Sequence, residues 1–186
     1  MIKPHPKQVI FPAILLAASL LLVISNAVYG STHRYRGTAN NPYSSLIADI
    51  SIHPSFPQSI KQWDSEIQIA AQETGLDPNL IASVMLQESG GQSQVISSSG
   101  AVGLLQVMPR DGTAASFVCI NGPCFHDRPS TSELKDPKFN IIYGSRFLAG
   151  LISTHGSLRS ALRAYGPMDV GFSYADKVLA IYHSHD

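Results

Sequence analysis

The sequence predicts a mainly α fold for one domain over residues 58–186, and three observations support this class. Apolar residues recur at every third or fourth position in several segments, which is the period of a helix buried on one face. Two pairs, Asp77-Pro78 and Asp136-Pro137, combine a capping side chain with proline at the first helical position. Residues 58–183 contain no alternating strand pattern and no hairpin signal.

Residues 1–30 have the layout of an export segment. Lys3 and Lys7 precede an apolar run over residues 9–24, and small residues follow the run. The run is slightly long for the core of a signal peptide and slightly short for a membrane span, so a cleaved signal and an N-terminal membrane anchor are both open. We expect the chain to be exported to the periplasm, the cell envelope or the outside of the cell.

The exported chain begins with a predicted linker. Residues 31–57 are rich in Ser, Asn and Pro and lack apolar periodicity. An amphipathic helix follows over residues 58–75, with Trp63 and Ile67 among its apolar residues and Gly75 as its stop.

The second predicted helix begins at Asp77-Pro78, runs to about residue 89 and ends at Gly90. Glu88 lies in its last turn, after a run of apolar residues and before an uncharged stretch of Ser, Gly and Gln. A lone carboxyl at the end of a buried helix is set up to titrate at raised pH, because desolvation disfavours its ionised form. The alternative is a solvated Glu at a helix C-terminus.

The second half of the domain is predicted as a loop flanked by helices. Residues 100–109 predict a short helix in which Gln106 faces back toward Glu88. Residues 110–133 are irregular and predict a long loop, expected as one wall of a groove. Three further helices are expected over residues 136–152, 157–165 and 173–182.

Cys119 and Cys124 are the two cysteines of the chain, and they enclose the turn-forming tetrapeptide Ile-Asn-Gly-Pro. In an exported protein this spacing predicts a disulfide bond between them. Two free thiols are the alternative for a cytoplasmic chain. A metal site would need more ligands than these cysteines and His126 supply, so we expect neither a metal nor a cofactor.

From Glu88 to Pro109 the chain combines a Glu-Ser pair, a second Ser at position 97 and the run Gly-Ala-Val-Gly-Leu-Leu-Gln-Val-Met-Pro. This pattern closely resembles the catalytic signature of the family 1 lytic transglycosylases, which are muramidases with a lysozyme-like fold. The matching positions are Glu88, Ser89, Ser97, Gly100, Ala101, Gly103, Leu104, Leu105, Gln106, Val107, Met108 and Pro109. Weaker matches follow at residues 134–144 and 161–165, so the resemblance covers about residues 58–183.

The resemblance implies a goose-type lysozyme or transglycosylase fold and cleavage of the β-1,4 bond between N-acetylmuramic acid and N-acetylglucosamine of peptidoglycan. Glu88 would act first as the acid and then as the base, which closes a 1,6-anhydro ring. Most glycosidases add a second carboxylate, which residues 78–110 lack. Asp111, Asp127 and Asp169 have loops that could reach the groove, but we expect none to lie opposite Glu88.

The resemblance also assigns residues to the sugar groove. Ser97, Gln106 and Met108 would line it, and Tyr165 would lie beside Glu88 with its hydroxyl able to steer the carboxyl. The alternatives are a core position for Met108 and a turn-stabilising position for Ser97. Gln106 is harder to dismiss, because an amide among apolar neighbours needs a hydrogen-bonding partner.

One position departs from the family pattern. The family continues Ala-Tyr-Asn-x-Gly, whereas here Tyr165 is followed by Gly166-Pro167, so the Asn near the sugar is missing. Either another side chain, such as Asp169 or one in the loop after it, takes the place of this Asn, or sugar positioning is weaker. Asn140 is expected to brace the fold rather than touch substrate.

Peptidoglycan glycan strands are the expected partner, and a cell-envelope machine is a further candidate. The 13 basic and 13 acidic side chains give a net charge of +0, which shows no sign of a nucleic-acid binder. Two other functions stay open: a peptidoglycan-hydrolysing lysozyme of the same fold, and a non-catalytic peptidoglycan-binding module. The cellular role is open between wall turnover, a secretion or conjugation system, and attack on other cells.

Overall fold

The computed structural model describes residues 51–185, and their fold is mainly helical, as predicted. The helices are α1 Gln58–Lys61, α2 Asp64–Thr74, α3 Pro78–Ser89, α4 Thr131–Leu134, α5 Pro137–His155, α6 Leu158–Tyr165 and α7 Ser173–His183. The structure also has two 3-10 turns, Gly112–Ser116 and Met168–Val170, and the strands β1 Val118–Cys119 and β2 Gly122–Pro123. The predicted export segment and residues 31–50 of the predicted linker lie outside the described residues. Within residues 51–185, no helix has the length and apolar character needed to cross a membrane.

Local capping explains where the two main helices begin. The Asp77 side chain accepts a hydrogen bond from the Asn79 backbone N–H at 2.7 Å and starts α3. The Asp136 side chain accepts one from the Phe139 N–H at 2.7 Å and starts α5. Both predicted starts are therefore confirmed, and Gly90 ends α3 with a φ of 61°.

The single helix predicted over residues 58–75 is wrong, because the structure breaks it between α1 and α2. At the break, the Trp63 indole N–H donates to the Gly91 carbonyl at 3.0 Å. The next residue, Asp64, accepts a bond from the Ile52 N–H at 3.0 Å. Both partners are distant in sequence, so tertiary contacts override a periodicity that would suit one continuous helix.

The predicted linker differs from the structure in its last residues. Ile52 is 5% exposed and Phe56 is 1% exposed, and both belong to the hydrophobic core. The Phe56 ring also stacks on His185, with ring centroids 3.8 Å apart. The packed part of the chain therefore begins before residue 58.

Helix α3 lies at the centre of the core. It packs against α2 and α7, while α5 packs against α2 and α6 on another side. The buried apolar residues of α3 are Leu80, Ile81, Ala82, Val84 and Met85. Because α3 is buried around most of its circumference, its last turn, which contains Glu88, is held in place by the core.

The short helix predicted over residues 100–109 is also wrong. Val102 forms antiparallel bridges with Ile96 and with Val107, which makes a compact extended loop. Gly103 and Gln106 turn the chain with φ values of 78° and 43°. Two residues in the left-handed region cannot continue a right-handed helix, so the apolar run is buried by a tight turn instead.

The long loop over residues 110–133 contains a hairpin that the sequence pattern did not predict. Strands β1 and β2 pair antiparallel, with Val118 opposite Pro123 and Cys119 opposite Gly122. The structure pairs Cys119 with Cys124 at an S–S distance of 2.02 Å. Strands of two residues are too short to show an alternating pattern, so residues 118–123 carry no periodic strand signal.

Candidate active site

Glu88 lies partly buried in the last turn of α3. Burial raises the pKa of its carboxyl from 4.5 to about 7, and a hydrogen bond from Tyr174 opposes part of that rise. The carboxyl therefore holds its proton over much of the range below neutral pH. A group in this state can donate a proton and later accept one, which is the property that a general acid and base requires.

Tyr174, near the start of α7, supplies the hydrogen bond to this acid. Its side chain is 6% exposed and its hydroxyl donates to Oε1 of Glu88. Burial and the nearby charge of Glu88 raise the pKa of Tyr174 well above its usual value, so its hydroxyl stays a donor. Sequence reasoning missed this residue. The sequence does contain a signal for Tyr174, because it lies four positions before Val178 and so shares the inward face of the last helix. A buried Tyr hydroxyl needs a hydrogen-bond partner.

Tyr165, at the end of α6, lies next to this pair but makes a different bond. Its ring stacks on the Tyr174 ring at a centroid distance of 6.4 Å and an interplanar angle of 13°. Its hydroxyl donates to the Leu105 carbonyl at 2.7 Å. The prediction that the Tyr165 hydroxyl steers Glu88 is therefore wrong, because Tyr174 occupies that position and Tyr165 holds the neighbouring loop.

Ser89 ties the end of α3 to the same loop. Its hydroxyl donates to the Leu104 carbonyl at 2.8 Å and to the Met85 carbonyl at 3.2 Å, and it accepts from the Gly91 N–H at 3.1 Å. Ser89 is 7% exposed, so these bonds are shielded from water. The residue beside Glu88 therefore fixes the distance between the acid and the loop.

Asn140 holds the loop from the side of α5. Its Oδ1 accepts from the Leu105 N–H at 2.8 Å, and its Nδ2 donates to the carbonyls of Val102 and Leu134 at 2.9 Å each. The side chain is fully buried, and these bonds satisfy its amide. This agrees with the prediction that Asn140 braces the fold.

Gln106 lies in the loop that Tyr165 and Asn140 hold. Its side-chain Nε2 donates to the Gly103 carbonyl at 2.9 Å and to the Val95 carbonyl at 3.3 Å. These bonds support its positive φ, a conformation that is uncommon for a residue with a side chain. The hydrogen-bonding reason expected for this amide is thus found within the loop itself.

Ser97 and Met108 lie at the two ends of the same loop. The Ser97 hydroxyl accepts from the Ala101 N–H at 2.9 Å, which stabilises a turn. Met108 is partly buried, between the buried residues Val107 and Pro109. The Ser97 bond fits its turn-stabilising alternative, whereas Met108 does not belong to the hydrophobic core. Contact of both residues with sugar remains a prediction.

The other candidate carboxylates have local partners or are exposed. Asp111 accepts bonds from the Thr131 N–H at 2.8 Å and hydroxyl at 2.5 Å, which lower its pKa. Asp127 pairs with His126 at 3.0 Å, and the Asp127 side chain is 86% exposed. Asp169 is exposed in a 3-10 turn. Within residues 51–185, no group of three or more His, Cys, Asp and Glu side chains is arranged to hold a metal ion.

The fold and the site define a helical protein in which a desolvated carboxyl lies beside a braced loop, and comparison with known proteins gives its family. The transglycosylase SLT domain matches residues 65–173, more than half of the chain, and the chain belongs to this family. The resemblance predicted from the sequence is thereby confirmed.

Two curated relatives and one solved structure illustrate the likeness. An endo-type membrane-bound lytic murein transglycosylase A of Klebsiella pneumoniae is 34% identical over 131 residues, covering 70% of this chain and 57% of the relative. A membrane-bound lytic murein transglycosylase E of Buchnera aphidicola is 35% identical over 97 residues, covering 52% and 42%. The chain thus spans about half the length of these relatives. The lytic transglycosylase Slt of Pseudomonas aeruginosa, solved as an inactive mutant, superposes with a TM-score of 0.50 at 24% identity over 65% of this chain and 23% of that chain, which shows the shared fold.

Proposed function

We propose that the protein is a peptidoglycan lytic transglycosylase that cleaves the β-1,4 bond between N-acetylmuramic acid and N-acetylglucosamine. The observation that carries this proposal is the desolvated carboxyl of Glu88, with a pKa of about 7, in a chain of the transglycosylase SLT family. The names of the curated relatives as lytic murein transglycosylases support the same activity. No cofactor enters the proposal.

In the proposed reaction, protonated Glu88 donates its proton to the glycosidic oxygen as the bond from that oxygen to the muramic acid C1 breaks. The resulting carboxylate then takes the proton of the 6-hydroxyl of the same muramic acid, whose oxygen bonds to C1. One carboxyl serves both steps and returns to its protonated state. Tyr174 donates a hydrogen bond to Glu88, which stabilises the carboxylate between the two steps.

The groove residues proposed for this reaction are Ser97, Gln106 and Met108, on the loop beside the acid. Tyr165 is proposed to support this groove through its bond to Leu105 rather than through Glu88. The proposed domain arrangement is an export or anchor segment over residues 1–30, a linker from residue 31, and the catalytic domain to residue 186. The relatives named as membrane-bound support a location in the cell envelope. The partners are peptidoglycan strands and, as a further proposal, a cell-envelope machine.

The hydrolytic rival needs a second carboxylate or a base-activated water opposite Glu88. The electrostatics of Glu88 speak against it, because the raised pKa of this carboxyl comes from burial and carries no contribution from Asp111, Asp127 or Asp169. The non-catalytic binding module also fits the site less well. A binder gains nothing from a carboxyl whose burial raises its pKa, whereas an acid catalyst requires it.

Product analysis tests the proposal. Purified peptidoglycan digested by the full-length protein should release muropeptides that end in 1,6-anhydromuramic acid and weigh one water less than reducing products. Reducing ends that disappear when Asp111, Asp127 or Asp169 is changed to Asn would establish the hydrolase instead. Binding of peptidoglycan with neither product would establish the binding module.

A further inference from the structure

Gly166 directly follows Tyr165 at the end of α6, and its backbone does not require glycine. Its φ of −75° and ψ of −176° are an extended conformation that any residue adopts. The usual reason for a glycine, a left-handed turn, is therefore absent at this position. The reason must lie in the space around it.

That space is filled by Tyr174. A Cβ at position 166 would lie 2.4 Å from both Cδ1 and Cγ of the Tyr174 ring and 2.9 Å from its Cβ. Non-bonded carbon atoms do not approach so closely, so a side chain at Gly166 would force the ring to move. The contact involves the base of the ring rather than the end of a flexible chain, so a small rotation cannot relieve it.

The Tyr174 ring is also confined on its other sides. It stacks on Tyr165 at a centroid distance of 6.4 Å, and its side chain is 6% exposed. The next residue of α7, Ala175, is fully buried in the core. A ring held in this way can carry its hydroxyl to Glu88 only while the place of a side chain at position 166 stays empty.

We infer that Gly166 is a positioning residue: its missing side chain provides the space that places the Tyr174 ring, and so holds the Tyr174 hydroxyl on the carboxyl of Glu88. The expected effect on cleavage rests on the proposed function, but the effect on Glu88 itself does not. The inference also gives a reason for the departure from the Ala-Tyr-Asn pattern. An Asn at position 166 would place its Cβ 2.4 Å from two atoms of the Tyr174 ring.

The test compares Gly166→Ala, Gly166→Asn and Tyr174→Phe in the full chain. The matched control is Gly150→Ala, because a Cβ at Gly150 meets no atom within 4 Å. Titration of the Glu88 side-chain carboxyl, followed by NMR with 13C-labelled Glu, reports the bond without any substrate. Turnover of peptidoglycan as a function of pH reports its effect on cleavage.

Loss of the bond should raise the pH at which Glu88 titrates in all three site variants, because the Tyr174 hydroxyl favours the ionised carboxyl. The alkaline limit of activity should move in the same direction, and kcat should fall about tenfold with little change in KM. Combining Gly166→Ala with Tyr174→Phe should move the titration no further than Tyr174→Phe alone. Gly150→Ala should behave as the wild type.

Wild-type titration and turnover in Gly166→Ala would overturn the inference, and so would a loss of thermal stability with an unmoved titration. If Gly166→Ala does not fold, the pair Gly166→Ala with Tyr174→Ala replaces it, because Ala at position 174 lacks the Cγ and Cδ1 atoms that lie 2.4 Å from the new Cβ. That pair should fold as Tyr174→Ala alone does, and a pair that does not fold beside a folded Tyr174→Ala variant would show that the clash lies elsewhere. A wild-type protein that does not cleave peptidoglycan would refute the proposed function and leave the NMR titration as the test of Gly166.

Discussion

The pKa values of carboxyl groups are shifted in opposite directions at Glu88 and in the loop over residues 110–133. At Glu88, burial raises the pKa of the carboxyl to about 7. In the loop, hydrogen bonds from Thr131 lower the pKa of Asp111, and hydrogen bonds from Ser130 lower that of Glu133. The comparison shows that desolvation raises the pKa of a carboxyl whereas hydrogen bonds lower it, and only the first effect suits a group to donate a proton near neutral pH.

The two regions also differ in the distance along the chain between bonded residues. Around Glu88 the bonds are long-range: Tyr174 and Glu88 are 86 residues apart, and Tyr165 and Leu105 are 60 apart. In the loop, the bond between Ser130 and Glu133 spans 3 residues and the disulfide spans 5. The acid is therefore held by the whole fold, whereas much of the loop is held by local contacts.

The largest expected effect is on turnover when the acid is removed. Glu88→Gln should abolish the release of anhydromuropeptides, because general acid catalysis contributes about 10²- to 10⁴-fold and the N–H protons of an amide are too weakly acidic to replace it. Turnover on purified peptidoglycan measures this loss, and circular dichroism should show an intact fold.

The matched control for Glu88→Gln is Asp127→Asn in the loop. Its carboxyl is 86% exposed and pairs only with His126, so turnover should stay close to that of the wild type. More than about a tenth of wild-type turnover in Glu88→Gln would contradict the assignment of the acid.

The same difference in contact range explains what the sequence could predict. The starts of α3 and α5 depend on Asp77 and Asp136, whose capping bonds reach only two or three residues along the chain. The turn that brings Cys119 and Cys124 together is equally local. Such features are visible in a short stretch of sequence because the interacting groups lie within it.

The features that could not be predicted depend on partners far away in the chain. The break before α2 depends on the bond from Trp63 to Gly91, which lies 28 residues away. The loop at Leu105 is shaped by Asn140, 35 residues away. The resemblance points to Tyr165 as the neighbour of Glu88, whereas Tyr174 makes the bond, because periodicity predicts an inward face without showing which side chains are in contact.

A second prediction concerns stability and pH. Because the folded-state pKa of Glu88 is raised from 4.5 to about 7, the stability that its protonated form contributes is present below pH 4.5 and is lost as the pH rises through 7. Glu88→Gln should therefore gain stability relative to the wild type at alkaline pH, by up to about 3 kcal/mol, and show no such gain in acid. Urea denaturation at several pH values measures this difference.

The loop supplies the opposite sign for the same experiment. Because the pKa of Glu133 is lowered in the folded state, its contribution to stability is present above its unfolded pKa and is lost as the pH falls through the folded one. Glu133→Gln should therefore cost stability at neutral pH and cost less in acid. If the stability of the two Gln variants relative to the wild type changed with pH in the same direction, the contrast between the two regions would be wrong.

The smallest effect on turnover is expected when the disulfide is removed. This experiment tests whether the loop over residues 110–133 is needed for the reaction at Glu88. Mass spectrometry of the exported, non-reduced protein should find Cys119 and Cys124 bonded and two hydrogens lighter than the free thiols. Removing the bond with Cys119→Ser and Cys124→Ser should cost about 2 kcal/mol, because so short a ring restricts the unfolded chain only slightly.

Turnover of this double Ser variant should stay near the wild-type value, for two structural reasons. The tip of the hairpin faces solvent, with Ile120 99% exposed, and the hairpin keeps its backbone bond from the Cys124 N–H to the Phe117 carbonyl. The acid, by contrast, depends on Tyr174 and α7, which the disulfide does not constrain. A stable double variant with a large loss of turnover would show that the loop forms a wall of the groove, and that its local contacts serve the reaction after all.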